Sequence, residues 1–192
     1  MTTFYIRSKL ILLFIFISIG TSMSQEVISY HQKINEKKLP TIVVEKFKKQ
    51  YSDVFLEGWY ETHLIHWQND LHYNWYDEWY IDRTIVIYTY EKPNYYEVEF
   101  IYNPGEQSRA IYNIHGYWYE TRTQINGLPA AIVETLQQSK YKAWHLSVHM
   151  EKMESPMWPI AIYRFQLKHG IKSHIISMDP DGNMVQTKVL EE

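Results

Sequence analysis

Residues 39–47 read Leu-Pro-Thr-Ile-Val-Val-Glu-Lys-Phe, and residues 128–136 repeat the pattern as Leu-Pro-Ala-Ala-Ile-Val-Glu-Thr-Leu. In each copy the proline suits the first turn of a helix, where its missing N–H would have no partner and its φ is already helical. Val43 and Phe47 in the first copy, and Ile132 and Leu136 in the second, are spaced to form one apolar face. The pattern predicts two equivalent amphipathic helices and a duplicated chain.

The residues after each helix favour strands, because their apolar spacing changes from about four residues to two. Tyr96, Val98 and Phe100 alternate with Glu97 and Glu99, which predicts a strand with one apolar face and one face in water. Glycine turns at positions 116 and 182 close the two copies. Each copy is therefore predicted to be one helix followed by an antiparallel β-meander, and the fold class is α+β with tandem repeats.

A further strand is predicted at residues 117–125, directly after the first glycine turn. Trp118, Glu120 and Arg122 are two residues apart within it. Because side chains two apart on a regular strand point the same way, we expect these three on one side of the sheet.

The first copy is longer than the second, and its extra residues are rich in aromatic side chains. The excess lies between Trp59 and Tyr95. We expect Trp59, Phe100 and Tyr112 to pack in the core. Five aromatic residues in the extra segment are the candidate binding residues: Trp67, Trp75, Tyr76, Trp79 and Tyr80. Two explanations of the segment stay open, packing against a small sheet and an exposed recognition patch, since Tyr and Trp are frequent in interface hot spots.

The N-terminus has the three-part layout of a secretory signal peptide. Arg7 and Lys9 precede a short apolar run at residues 10–20, and small residues stand before a cut after Ser24. This run is shorter than the roughly 20 residues that span a bilayer. The predicted organisation is a signal peptide at 1–24, a lead-in at 25–38, a first repeat at 39–127 with its aromatic insertion at about 60–94, and a second repeat at 128–192.

The amino-acid composition limits the cellular compartments and the classes of partner that are expected for this chain. The chain has no cysteine, so it forms no disulfide, and export without disulfides favours a bacterial periplasm or the medium outside the cell. Without Arg7 and Lys9 the 19 basic residues fall to 17 against 22 acidic ones, a formal charge of −5 that argues against a nucleic-acid partner. No long apolar segment follows the signal, so we expect no stable membrane insertion after cleavage.

The sequence contains none of the common catalytic or phosphate-binding motifs that we considered. The chain has no cysteine nucleophile, no Gly-x-Ser-x-Gly, no phosphate-binding glycine loop and no His-Glu-x-x-His. His63 with His66, and His145 with His149, fall short of the three or four convergent ligands of a metal site. We expect no catalytic residue, no metal and no cofactor, with a histidine-based, metal-dependent hydrolase as the enzymatic alternative.

The order of several segments resembles a known family. It comprises the Leu-Pro helix, the Tyr-Tyr-Glu-Val-Glu-Phe strand at 95–100, the turn at 112–118, Lys142-Ala143-Trp144 after the second helix, and the Met-Asp-Pro-Asp-Gly-Asn turn at 178–183. Together these resemble the PepSY-like, beta-lactamase-inhibitor-like proteins exported by Bacteroidetes. The first turn departs from the family pattern, with Asn113 where the family has an acid and Tyr117 as an extra residue.

The resemblance implies a curved antiparallel sheet with the helices packed on one face, and a role in protein binding or inhibition. The predicted function is therefore an exported, non-enzymatic protein-binding or inhibitor-like module, whose partner is another envelope or secreted protein. The alternative is a periplasmic small-ligand or glycan-binding protein that uses exposed Trp and Tyr rings.

Overall fold

The structure is a computed structural model, and it describes residues 31–64, 67 and 93–185. The predicted signal peptide, most of the aromatic insertion and the last seven residues, 186–192, lie outside the described residues. The strands are β1 (His31–Ile34), β2 (Phe55–Thr62), β3 (Tyr95–Asn103), β4 (Glu106–Asn113), β5 (Trp118–Gln124), β6 (His145–Glu154), β7 (Ile162–His169) and β8 (Lys172–Met178). The helices are a short 3-10 helix (Glu36–Lys38), α1 (Thr41–Gln50) and α2 (Ala130–Gln138).

The eight strands form one open sheet in the order β1 to β8, and every neighbouring pair is antiparallel. The described strands therefore follow one another across the sheet in the order of the sequence. Register shifts interrupt the ladders of β2 with β3, β3 with β4, β4 with β5, and β6 with β7. Such bulges bend and twist strands, as a curved sheet requires. The α+β class and the single curved antiparallel sheet are confirmed.

Both helices pack on the same face of this sheet. Each begins immediately after its proline, at Thr41 and Ala130, as the sequence predicts. The first core joins α1 to β2, β3 and β4 through the buried residues Leu39, Val43, Phe47, Trp59, Val98, Phe100, Ala110 and Tyr112. The second joins α2 to β6, β7 and β8 through Ile132, Tyr141, Met150, Phe165, Leu167, Ile176 and Met178. The predicted core positions of Trp59, Phe100 and Tyr112 are confirmed.

Cross-strand partners share a face of a sheet, which shows that the two cores lie on one side. Phe100 of the first core is opposite Ser108, Ser108 is opposite Thr123, and Thr123 is opposite Lys152. Lys152 is opposite Tyr163, which is two residues from Phe165 of the second core on β7. We call this side the helix face and the other the open face.

A turn that contains a glycine packs against the first turn of each helix. A Cβ at Gly116, whose φ is 76°, would lie 3.0 Å from the Ile42 carbonyl oxygen in α1. A Cβ at Gly182, whose φ is 84°, would lie 2.9 Å from the Ala131 carbonyl oxygen in α2. Ile42 and Ala131 each stand two residues after the helix proline. The two halves thus share a helix–turn contact, while duplication and the proposed repeat boundaries stay predictions.

The β5 strand departs from the predicted alternation. Its ladder with β4 shifts register between Ile111 and Tyr112, which are opposite Glu120 and Trp118. This bulge puts Trp118 beside the first core on the helix face and Glu120 on the open face. The prediction that Trp118, Glu120 and Arg122 share one side is wrong for Trp118.

The two halves differ most in the connection between their first two strands. From β2 to β3 the chain runs from Thr62 to Tyr95, whereas from β6 to β7 it runs only from Glu154 to Ile162. The excess residues therefore lie where the sequence predicts the aromatic insertion, with residues 60–62 belonging to β2.

In the part of the chain that the structure describes, no helix has the length and apolar character of a membrane span.

Candidate functional site

Of the five predicted binding residues, Trp67 is described, and Trp75, Tyr76, Trp79 and Tyr80 lie outside the described residues. The Trp67 side chain is fully buried. Its contacts are on the open face, because Arg109 alternates along β4 with Ser108 and Ala110, which face the helices. Packing therefore accounts for Trp67 in this structure, and its role in binding stays a prediction.

Three kinds of contact hold Trp67 against the sheet. The guanidinium carbons of Arg109 and Arg122 lie 4.9 and 4.8 Å from the centre of its ring, which is cation–π distance. The indole Nε1 donates a hydrogen bond of 2.8 Å to Glu120 Oε1. Arg122 Nη2 donates another, of 3.2 Å, to the Trp67 carbonyl oxygen. The ring of Trp67, its indole N–H and its backbone carbonyl group therefore all contact residues of the sheet.

The residues under Trp67 belong to a set of acidic and basic side chains that crosses the open face from β3 to β7. We call this set the charged array: Glu97, Arg109, Glu120, Arg122, Glu151 and Arg164. Arg122 Nε donates to Glu120 Oε1 at 2.5 Å, and Arg164 forms an ion pair with Glu151 Oε1. All members but Arg164 are buried.

The sequence prediction that Glu97 faces water is wrong, since its side chain has no exposed area. An alternation of charged and apolar residues predicts one face in water, but here Glu97 is opposite Tyr60 and Ile111, and the next strands carry further charges on the same face. Arg109 is opposite Arg122 and Glu151 is opposite Arg164. Buried charges persist in proteins when they are paired and hydrogen-bonded. The signal that could have revealed the array is the occurrence of both signs on consecutive strands.

Burial changes the titration of the pair at the centre of the array. Removal from water raises the pKa of Glu120 to about 7, although the hydrogen bond from Trp67 acts in the opposite direction. Burial lowers the pKa of Arg122 to about 9, and the neighbouring positive charge of Arg164 adds to this effect. The array therefore contains a carboxyl group that changes charge near neutral pH.

We expect the stability conferred by Glu120 to fall as pH rises. The folded-state pKa, about 7, is above the ordinary value of 4.5, so the folded protein binds more protons than the unfolded chain between these values. The free energy of unfolding therefore decreases from pH 4.5 to 7, by on the order of 2 kcal/mol. Urea unfolding of the wild type and of Glu120→Gln, in which the amide oxygen still accepts from Trp67, measures this difference. An equal pH profile for the two proteins would contradict it.

A second feature lies at one end of the sheet. Tyr95, the first residue of β3, is opposite Asn113, the last residue of β4. The connection from β2 to β3 therefore ends beside the β4–β5 turn. Ser155 Oγ donates to the Tyr119 carbonyl oxygen at 2.7 Å, which ties the β6–β7 loop to the same end. The turn and the loop carry four exposed apolar residues, which we call the apolar loop end: Ile114, Tyr117, Met157 and Ile160.

The turn that carries Tyr117 is well ordered by local hydrogen bonds. Asn113 Oδ1 accepts from the backbone N–H groups of His115, at 2.9 Å, and Tyr117, at 3.0 Å. The Asn113 N–H also donates to the Tyr117 carbonyl oxygen at 3.0 Å. Tyr117 is 72% exposed, so a rigid turn presents an aromatic ring to solvent. The asparagine and the extra tyrosine are the departures from the family pattern noted in the sequence.

The described residues provide no constellation for catalysis by a metal ion. Within residues 31–64, 67 and 93–185 there is no group of three or more His, Asp or Glu side chains that could hold one. Within the array, Arg109, Glu120 and Arg122 contact Trp67, and Glu151 pairs with Arg164.

Comparison with known proteins supports a fold assignment. No protein-family model matches the chain. No curated protein matches it either. Among solved structures, a BLIP-like protein from Bacteroides fragilis superposes with a TM-score of 0.53 at 16% identity, covering 77% of this chain and 83% of its own.

Two further Bacteroides structures have the same architecture. A DUF2874 family protein from Bacteroides uniformis gives a TM-score of 0.52 at 17% identity, with coverage of 77% of this chain and 86% of its own. A structure described as "putative periplasmic proteins" from Bacteroides eggerthii gives 0.51 at 16% identity, with the same coverage. The chain therefore has the fold of the BLIP-like and DUF2874 proteins of Bacteroides.

Proposed function

We propose that this chain is an exported, non-enzymatic module that binds another envelope or secreted protein in an inhibitor-like manner. The N-terminal signal layout and the fold shared with BLIP-like proteins support export and a binding role. The Bacteroides eggerthii neighbour, by its description, supports a periplasmic setting.

The observation that carries the proposal is the apolar loop end. Four exposed apolar side chains, on a turn and on a loop, lie at the same end of the sheet, and apolar surface of this kind favours protein contacts. Tyr117 is held by the Asn113 turn, so docking its ring would cost little additional entropy. Aromatic anchors of this kind dominate interface energetics.

Four of the predicted binding residues belong to a connection that starts and ends at this end of the sheet. Trp75, Tyr76, Trp79 and Tyr80 occur in the connection that begins at Thr62 and ends at Tyr95, both at this end of the sheet. We propose that they extend the docking surface of the apolar loop end. Trp67, buried on the charged array, would anchor the start of this connection.

Replacing exposed apolar side chains with aspartate tests the proposal. We expect the double variant Tyr117→Asp, Met157→Asp to lose capture of the partner from an envelope extract, with bound protein reduced by about tenfold or more. Both side chains are exposed, at 72% and 59%, so the melting temperature should change little. Capture is measured with the tagged protein and quantified by mass spectrometry.

Ile171→Asp is the matched control. Ile171 is fully exposed and lies in the β7–β8 turn, at the opposite end of the sheet. Capture should be equal for this control and the wild type. Capture that survives the double variant, or that is lost equally in Ile171→Asp, would contradict docking at the apolar loop end.

Small-ligand binding is the second candidate function. Trp67 has no exposed ring face in this structure, so it does not supply an open stacking surface. A different part of the molecule favours the candidate, a cleft of about 600 Å³ on the helix face that is lined by four aromatic residues.

A further inference from the structure

The helix face has a polar interval between its two hydrophobic cores. Ser108, Thr121 and Thr123 lie at core-facing positions of β4 and β5 and are buried. Lys152 and Glu154 continue the interval on β6, opposite Thr123 and Thr121. Apolar residues at these positions would join the two cores into one. Buried polar residues at the centre of a core face are informative, because burial costs free energy unless their groups are bonded.

A cleft of about 600 Å³ opens above this interval. Gln50 and Tyr51 at the end of α1 bound it on one side, and residues 125–129 before α2 bound it on the other. The β3–β4 turn closes a third side. Four aromatic residues line it: Tyr51, Tyr102, Trp118 and Tyr163. The volume is within the range of small-molecule sites, about 300–1,000 Å³.

Hydrogen bonds fix the inner rings of the cleft. Tyr51 Oη and Thr121 Oγ1 share a bond of 2.7 Å, and Trp118 Nε1 donates to the same Thr121 oxygen at 2.8 Å. Ser108 and Thr123 share a hydroxyl bond of 3.0 Å beneath them. The Tyr102 ring stands at 81° to the Tyr51 ring, with 6.0 Å between their centres, and its side chain is 55% exposed. The cleft is thus preformed, with an accessible ring at its rim.

The charged groups of the cleft favour a neutral ligand. Lys152 Nζ and Glu154 Oε2 form an ion pair at 2.9 Å, and both side chains are partly exposed. Glu106, the third charged residue of the lining, accepts a hydrogen bond of 2.7 Å from the Asn103 amide. An ammonium has three donors and a carboxylate about four acceptor positions, so the pair can bond further hydroxyl groups. A charged ligand would have to compete with the existing pair. Adjacent donors and acceptors beside aromatic rings suit a molecule with hydroxyl groups on its edges and C–H groups on its faces.

We propose that this cleft binds a neutral mono- or disaccharide. The C–H face of a sugar ring would lie on Tyr102 and Trp118, and its hydroxyl groups would bond Lys152 and Glu154. The inference rests on residues separate from the apolar loop end, so each proposal can fail without the other.

Saturation-transfer NMR on the purified protein tests the proposal with maltose, cellobiose and N,N′-diacetylchitobiose at millimolar concentration. We expect transfer to at least one of the three. Tyr102→Ala should weaken its binding by about tenfold through loss of the stacking surface. Lys152→Met, which keeps the aliphatic length but removes the donors, should weaken it by a similar factor.

Ile171→Ala is the control, because it removes an exposed apolar side chain that does not line the cleft. Binding should be unchanged in this variant, and melting curves confirm that all three variants are folded. Transfer to none of the three sugars would overturn the proposal. Wild-type affinity in either Tyr102→Ala or Lys152→Met would overturn it as well, because the sugar would then bind elsewhere.

Discussion

Phe47→Ala is expected to lower the free energy of unfolding by about 3–5 kcal/mol. Phe47 is buried at the centre of the first core, where α1 meets three strands. Its ring lies 5.2 Å from the rings of Trp59 and Phe100, with edge-to-face angles of 77° and 72°, and 6.4 Å from Tyr112. Truncation to alanine removes these contacts and leaves a cavity that rigid aromatic neighbours cannot fill.

Chemical unfolding followed by tryptophan fluorescence measures this loss, since Trp59 is in contact with the removed ring. Glu45→Ala, an exposed position on the same helix, is the control and should change the free energy of unfolding by less than about 0.5 kcal/mol. A loss below about 1 kcal/mol in Phe47→Ala would mean that α1 does not depend on this core contact.

The helix positions in this core could be predicted because they follow from local rules. A proline that starts a helix and apolar residues at Val43 and Phe47 give the buried face, and Ile132 repeats it in α2. The alternation around Val98 and Phe100 likewise gives the helix-facing side of β3. These features depend on backbone geometry and on spacing along one segment. Sequence reasoning suffices for them.

The charged array shows where that reasoning ends. Glu97 alternates with apolar residues as a solvated side chain would, yet it is buried. Which groups cover a strand is decided by register and by distant segments, as when Trp67 covers Arg109 of β4 and Arg122 of β5. A bulge in one ladder also reverses the side of Trp118 relative to Glu120. Neither effect is visible in the spacing of a single strand.

The cleft could not be predicted from local sequence patterns either. Ser108, Thr121 and Lys152 come from three strands and meet only when β4, β5 and β6 pair in their observed register. In the sequence each is an ordinary polar residue of a strand. The aromatic lining likewise comes from the residue that follows α1 and from β3, β5 and β7. A candidate site of this kind becomes visible only with the tertiary structure.

Arg122→Ala is expected to lower the free energy of unfolding by about 3–5 kcal/mol at pH 8. The substitution removes the hydrogen-bond donor 2.5 Å from Glu120 and the guanidinium 4.8 Å from the Trp67 ring centre. Glu120 would remain buried as a carboxylate without its closest cation. Because its pKa is already raised to about 7, Glu120 can bind a proton instead, and the loss should be smaller at pH 5.

Urea unfolding at the two pH values, in Arg122→Ala, Glu120→Gln and the double variant, measures the coupling between the two side chains. The double variant should lose less than the sum of the single variants, because no buried carboxylate is left unpaired. Lys48→Ala is the control for a solvent-exposed pair, since Lys48 contacts Glu36 at 2.7 Å with 61% of its side chain exposed. That control should cost less than about 1 kcal/mol. A loss in Arg122→Ala as small as in Lys48→Ala, and equal at both pH values, would show that Arg122 does not neutralise Glu120 beneath Trp67.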